Sequence, residues 1–239
     1  KTWWSSHFWD RERFSQMMRF SLPLVPAVVS AWALSLADRW ILAWQSNSEA
    51  LAEYQIGVAS AMVIALPVMA FQQAWGPFGL SQAERVDSEK LFSQVLNRLM
   101  ILLCFSAAIF GLVVWRFVPF IFGEEYRPAA SSAVVLAAAH VLTAIFAHLS
   151  LPFNIAKSTS PIGVSVSIAA VVNVVACIFL TGKYGSLGAA WAMFLSQLVL
   201  VVIPFILVKI RYWKTLNFWQ VFLPIGVLLL VILFSLSLG

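Results

Sequence analysis

Residues 95–121 read VLNRLMILLCFSAAIFGLVVWRFVPFI, a run whose only charges are Arg98 near its start and Arg116 near its end. At 1.5 Å per residue a helix of this length covers roughly 40 Å, and a hydrocarbon core of about 30 Å needs only roughly 20 apolar residues. The apolar positions are continuous rather than alternating, which selects helix over strand, and in lipid the backbone satisfies itself only as helix or closed barrel. Six further runs of the same kind accompany it, over residues 20–45, 54–79, 129–152, 161–181, 186–208 and 217–238. The chain therefore reads as all-α, a polytopic membrane helix bundle of about seven transmembrane helices.

Composition agrees. Hydrophobic residues make up 62% of the 239 residues and charged residues 10%. A soluble domain carries roughly 25% charged residues, so this chain cannot cover a water-facing surface. The formal net charge is +5. In a soluble protein that sign would suggest nucleic acid; here no nucleic-acid partner is expected, because the placement of the charges says more than their sum. With a cytoplasmic N-terminus, the inner segments hold Lys1, Arg11, Arg13, Arg19, Arg85, Lys90, Arg98, Lys157, Lys209, Arg211 and Lys214. The outer ends hold only Arg39, Arg116, Arg127 and Lys183. Eleven against four follows the positive-inside rule. The first outer loop, 46–54, carries Glu49 and Glu53 and no basic residue.

Residues 1–19 differ from the rest. Trp3, Trp4, Phe8, Trp9 and Phe14 are interspersed with Asp10, Arg11, Glu12 and Arg13, the mixture of an interfacial cytoplasmic linker helix. The longest inner loop, about 81–96, holds Glu84, Arg85, Asp87, Glu89 and Lys90 and reads as a short solvated helical extension. Pro23, Pro26, Pro67, Pro204 and Pro224 fall inside spans and predict bent helices, with hinges as one use for them. Cys104 and Cys177 lie in different spans and read as small packing residues. There is no nucleotide-binding loop, paired-cysteine motif or serine–histidine arrangement, so neither an enzyme nor a metal or cofactor is expected.

Three segments carry a resemblance. The first is Ser21-Leu22-Pro23-Leu24-Val25-Pro26, then Ser30-Ala31-Trp32 and Ala37-Asp38-Arg39-Trp40-Ile41-Leu42. The second is Tyr54-Gln55-Ile56-Gly57-Val58-Ala59, then Ala70-Phe71-Gln72-Gln73-Ala74-Trp75-Gly76-Pro77. The third is Asn173, followed by Tyr184-Gly185-Ser186-Leu187-Gly188-Ala189-Ala190. In order and spacing they resemble the second half of polysaccharide and O-antigen flippases, within the multidrug/oligosaccharidyl-lipid/polysaccharide exporter superfamily. The resemblance implies two lobes of about six helices around a central cavity. This chain, which begins at Lys1 rather than Met, would be the C-terminal lobe over 20–210, with 211–239 as an additional transmembrane helix. It implies a bacterial inner-membrane location. It implies transport of an undecaprenyl-diphosphate oligosaccharide, with membrane lipid and a missing N-terminal lobe or partner chain as partners. A lipid II flippase, a cation-coupled multidrug exporter and a non-transporting scaffold are the other readings.

Asp38 is the only acidic residue inside a span. A carboxylate in lipid is costly unless paired, solvated or protonated, so it is a candidate coupling site, a partner for another helix, or an outer-interface anchor beside Arg39. An anionic lipid-linked sugar also wants arginine or lysine for its pyrophosphate, which adds Arg19, Arg98, Arg116 and Lys157. Gln72, Gln73 and Asn173 are interhelical glue or ligands for sugar hydroxyls. His140 and His148, eight residues apart on one face, are read as polar packing residues hydrogen-bonded across the bundle, or as a proton relay. Trp32 and Trp75 are packing aromatics or stacking platforms. Gly185 and Gly188 are read as permitting a tight turn and close helix approach.

Overall fold

The computed structural model describes residues 11–21, 25–158, 160–213 and 217–237. The elements are α1 (Arg11–Ser21), α2 (Val25–Gln45), α3 (Ser48–Gln82), α4 (Ser88–Phe122), a 3-10 turn (Glu124–Tyr126), α5 (Ala129–Ile155), α6 (Ser160–Arg211) and α7 (Phe218–Leu236). Trp3, Trp4, Phe8 and Trp9 lie outside the described residues, as do Pro23, Lys214 and the side chain of Arg19.

Among the described residues five helices, α3 to α7, are long and apolar enough to cross a membrane, and α2 has the length of a span at 21 residues. The protein is a multi-pass membrane helix bundle. The two expected spans 161–181 and 186–208 form one 52-residue element, α6. Run straight it would extend ~78 Å, far beyond the hydrocarbon core. It turns instead at Gly185, whose φ of 54° and ψ of −129° are not helical. That left-handed φ strains any residue with a Cβ, which is why glycine sits there. The second arm then folds against the end of the first. A Cβ at Gly188 would strike the backbone carbonyl of Leu180.

One loop expectation is corrected. The loop expected over 46–54 is mostly helix, because the Asn47 side chain accepts the Ala50 N–H at 3.0 Å and caps α3 at Ser48. The helical extension expected over 81–96 is present: α3 runs to Gln82 and α4 starts at Ser88, with Glu84, Arg85 and Asp87 in the turns over 83–87 and Glu89 and Lys90 in the first turn of α4. The prolines do not break these elements. Pro67 and Pro77 lie within α3, Pro204 within α6 and Pro224 within α7, and the departure from helical geometry in α6 falls at glycine.

α5 is the centre. Twenty of its 27 residues are buried, and a helix apolar on every side belongs inside a bundle. α3 and α6 flank it, and α2 packs along α6. α7 is fastened to α4 near both ends. Gln220 Nε2 donates to Ser93 Oγ at 2.8 Å, while Trp115 Nε1 donates to Ser235 Oγ at 3.0 Å and Ser235 in turn donates to the Gly111 carbonyl at 2.7 Å.

Gly188→Val forces apart two backbones in contact and should cost about 1–3 kcal/mol, read as a lower melting temperature in detergent. Gly182→Ala, where a Cβ meets nothing within 4 Å, should leave the melting temperature unchanged or slightly raised.

Candidate functional site

Asp38 faces inward. It is only 3% exposed, which removes the interface-anchor reading. The Tyr54 hydroxyl of α3 donates to its Oδ2 at 2.9 Å, so the carboxylate is held by a neighbouring helix. Arg39, the next residue, points about 100° away around the helix. Its charge lies near enough to act on Asp38, but it forms no ion pair among the described residues.

The first arm of α6 completes the cluster. Asn173, Cys177 and Thr181 recur every four residues, so they share one face, and all three are buried. Asn173 and Cys177 lie beside the Asp38 carboxylate. Cys177 Sγ and Thr181 Oγ1 are 3.3 Å apart. Just beyond, Ser186 donates to Glu53 Oε2 at 2.8 Å, tying the start of α3 to the turn of α6. Asp38, Tyr54 and Asn173 thus come from three helices and meet near the C-terminal end of α2 and the start of α3.

The cluster is not saturated. Among the described residues, Asp38 Oδ1 and both polar side-chain atoms of Asn173 complete no hydrogen bond of ordinary geometry, although Asn173 lies close enough to act on the carboxylate. Buried polar groups are normally paired, because an unmatched one costs about 1–3 kcal/mol. Oδ1 and the Asn173 oxygen are acceptors, and the Asn173 amide is a donor. The arrangement can take a proton on the carboxylate, or a small cation between two oxygens. Among the described residues no group of three or more His, Cys, Asp or Glu is placed to hold a metal.

Other candidates lie apart. Gln72 is 18 residues beyond Tyr54 on α3, roughly 27 Å along the helix. Its Nε2 donates to the Thr143 carbonyl of α5 at 3.4 Å, a link between helices. Gln73 and Arg98 are exposed. So is Lys157, which adopts a φ of 52° at the tight end of α5. Trp32 is 63% exposed on α2, whereas Trp75 is buried.

His148 corrects an expectation. It is completely buried, yet among the described residues neither ring nitrogen has a hydrogen-bond partner. Its neighbours are rings. Trp75 stacks on it at 4.6 Å between centroids, Trp213 lies at 5.5 Å, and Phe92 touches both tryptophans. The imidazole therefore packs as a flat ring where the C-terminal end of α3 meets the start of α4.

The site residues that sequence reading passed over are Tyr54, Cys177, Thr181 and the Glu53–Ser186 pair. Tyr54 stood in a quoted motif without a role. The four-residue repeat from Asn173 through Cys177 to Thr181 was a usable signal, since it places polar side chains on one helical face.

No protein-family model matches the chain, and no curated protein matches it by sequence. Its fold is similar to that of a solved structure, the lipid II flippase MurJ in an inward closed conformation, with a TM-score of 0.65 at 17% identity. The match covers 97% of this chain, and the chain spans 56% of that protein's length. The two share a membrane helix-bundle fold.

Tyr54→Phe deletes the donor to Asp38 and should cost about 1–3 kcal/mol, measured by thermal unfolding in detergent. In a double-mutant cycle with Asp38→Asn the two effects should be non-additive by at least about 0.5 kcal/mol; additive effects would mean the pair is not coupled.

Proposed function

We propose that this chain is one lobe of a flippase for lipid-linked oligosaccharides, within the multidrug/oligosaccharidyl-lipid/polysaccharide exporter superfamily. The observation that carries the reading is the fold likeness over 97% of the chain to little more than half of a flippase. An alternating cavity needs two walls, so the active transporter includes an N-terminal lobe or a partner chain. The substrate in this reading is an undecaprenyl-diphosphate repeat unit, carried from the inner to the outer leaflet of a bacterial inner membrane. The Asp38-Arg39-Trp40-Ile41-Leu42 segment after the proline-rich start supports the polysaccharide branch over lipid II or drug export.

Deleting the gene in its host separates these substrates. Lipid-linked repeat units should accumulate in the inner leaflet. Accumulated lipid II would move the protein to the peptidoglycan branch, and sensitivity to organic cations with normal glycans would indicate drug export.

Asp38 is the coupling group in this reading. Its unmatched oxygen lies between three helices, so gain or loss of a proton or cation there alters how α2, α3 and α6 hold together. Asp38→Asn in the complete transporter should abolish transport at normal membrane abundance. Normal transport would remove the coupling role; reduced abundance would leave Asp38 a purely structural partner.

The N-terminus is cytoplasmic in this reading, which rests on the eleven-to-four distribution of basic residues. In a background lacking Cys104 and Cys177, an impermeant thiol reagent should label Glu125→Cys from outside and Ser158→Cys only after permeabilisation. The reverse pattern would invert the topology.

A further inference from the structure

His148 of α5 is joined to three other elements by rings alone. Trp75 of α3 stacks on it, and Phe92 of α4 meets Trp75 edge-on at 5.6 Å between centroids. Trp213, just past the end of α6, lies 5.5 Å from both His148 and Phe92. Three buried polar atoms in this stack complete no hydrogen bond among the described residues: both nitrogens of His148 and Nε1 of Trp75. A phenyl ring at position 148 would stack in the same way with no unmatched nitrogen of its own. The imidazole and indole thus keep this end of the bundle less stable than its packing allows, and each gains partners wherever water reaches it.

The backbone beneath Trp75 is built to bend. Residues 74–79 read Ala-Trp-Gly-Pro-Phe-Gly, and α3 stays helical through them in this structure. Pro77 has no N–H, so the Gln73 carbonyl loses its intrahelical partner. The absent bond spans residues 73 to 77, so the turn that can bend is the one that carries Trp75. Glycine is the poorest helix former after proline, and no packing calls for Gly76, since a Cβ there would meet nothing within 4 Å. Beyond the bend, α3 rests on α5 at Gly79, where a Cβ would strike the Leu151 side chain. Glu84, Arg85 and Asp87 follow, all exposed. Such charges stand outside the hydrocarbon, which puts water roughly 14 Å along the chain from Trp75.

We propose that the last turns of α3, residues 78–82, form a flap that swings about the turn 73–77, and that the His148–Trp75 stack is the clasp that holds it shut in this structure. Bending that turn carries the indole off the imidazole and lifts Gly79 from Leu151. The three unmatched polar atoms then reach water. They favour the open state, while ring stacking and the Gly79 contact favour the closed one, so the two states differ by interactions that can be removed one at a time. Such a flap works in this chain whatever the complete protein carries.

Spin labels on Ser81→Cys in the flap and Lys209→Cys near the end of α6, both exposed positions, read the motion by double electron–electron resonance. The sample is the full chain in phosphatidylcholine nanodiscs, in a background lacking Cys104 and Cys177. Exposed Leu66→Cys, before the bend, paired with Lys209→Cys is the reference. The Ser81 pair should give a second distance beside the one in this structure, and the Leu66 pair a single distance. His148→Phe keeps a flat ring without nitrogens and should lower the second population at least threefold. Gly76→Ala adds a methyl group into open space, should act in the same direction, and carries the test if the larger ring at 148 prevents folding. A single distance for the Ser81 pair would overturn the proposal. So would a second population unchanged in a folded His148→Phe, or, failing that variant, unchanged in Gly76→Ala. Two distances for the Leu66 pair would place the motion in the whole helix and overturn it equally.

Discussion

The bundle depends on the burial of α5. Its first half, AASSAVVLAAAHVLTA over 129–144, is dominated by small side chains, and water is not there to drive helices together inside a bilayer. Association has to come from close packing. Small residues let neighbouring backbones approach, and α3 answers with Gly57, where a Cβ would come within 3.1 Å of Ser132 and 3.3 Å of the Ala133 amide. α6 packs on α5 as well, and α2 reaches the core through α6. A bulky side chain on this face of α5 would displace α3 from the axis to which the other helices are referred.

The same close packing leaves polar atoms nowhere to turn. At one end of the bundle, Asp38 receives one hydrogen bond from Tyr54 and leaves Oδ1 unmatched beside Asn173. At the other end, His148 is enclosed by Trp75, Trp213 and Phe92 with both nitrogens unmatched among the described residues. These two places differ chemically. The first gathers oxygens, a hydroxyl and an amide from three helices, and offers ligands. The second gathers aromatic rings, and stacking dominates its interactions. An ionisable group inside a membrane bundle is retained at a cost in stability, which makes Asp38 the stronger pointer to function.

Much of the fold was legible from residue order. A run such as 95–121 has one way to satisfy its backbone in lipid, so helix and span follow from composition and length. Gly185 and Gly188 announced the turn in α6, because a left-handed φ and a backbone-to-backbone contact both require a missing Cβ. Helix ends were less legible. Asn47 caps α3 well inside an expected loop, and the charged residues Glu84, Arg85 and Asp87 lie in a short turn whose limits apolar periodicity does not mark. The candidate site was legible only in part. Asp38 and Asn173 stood out as polar residues within apolar runs. Tyr54 and Cys177 did not, since each is also an ordinary packing residue.

Sequence alone determined that this chain lies in a membrane as helices, where it turns, and that a lone carboxylate falls within an apolar run at position 38, because each follows from local chemistry and the absence of water. Tertiary structure alone decided the neighbours. It brought Tyr54 and Asn173 to Asp38 from separate helices, left Gln72, Gln73 and Arg98 outside that cluster, and surrounded His148 with rings instead of hydrogen-bond partners. Helical periodicity fixes the direction of a side chain on its own helix. The rotation and depth at which helices meet are set by how small residues pack across the bundle.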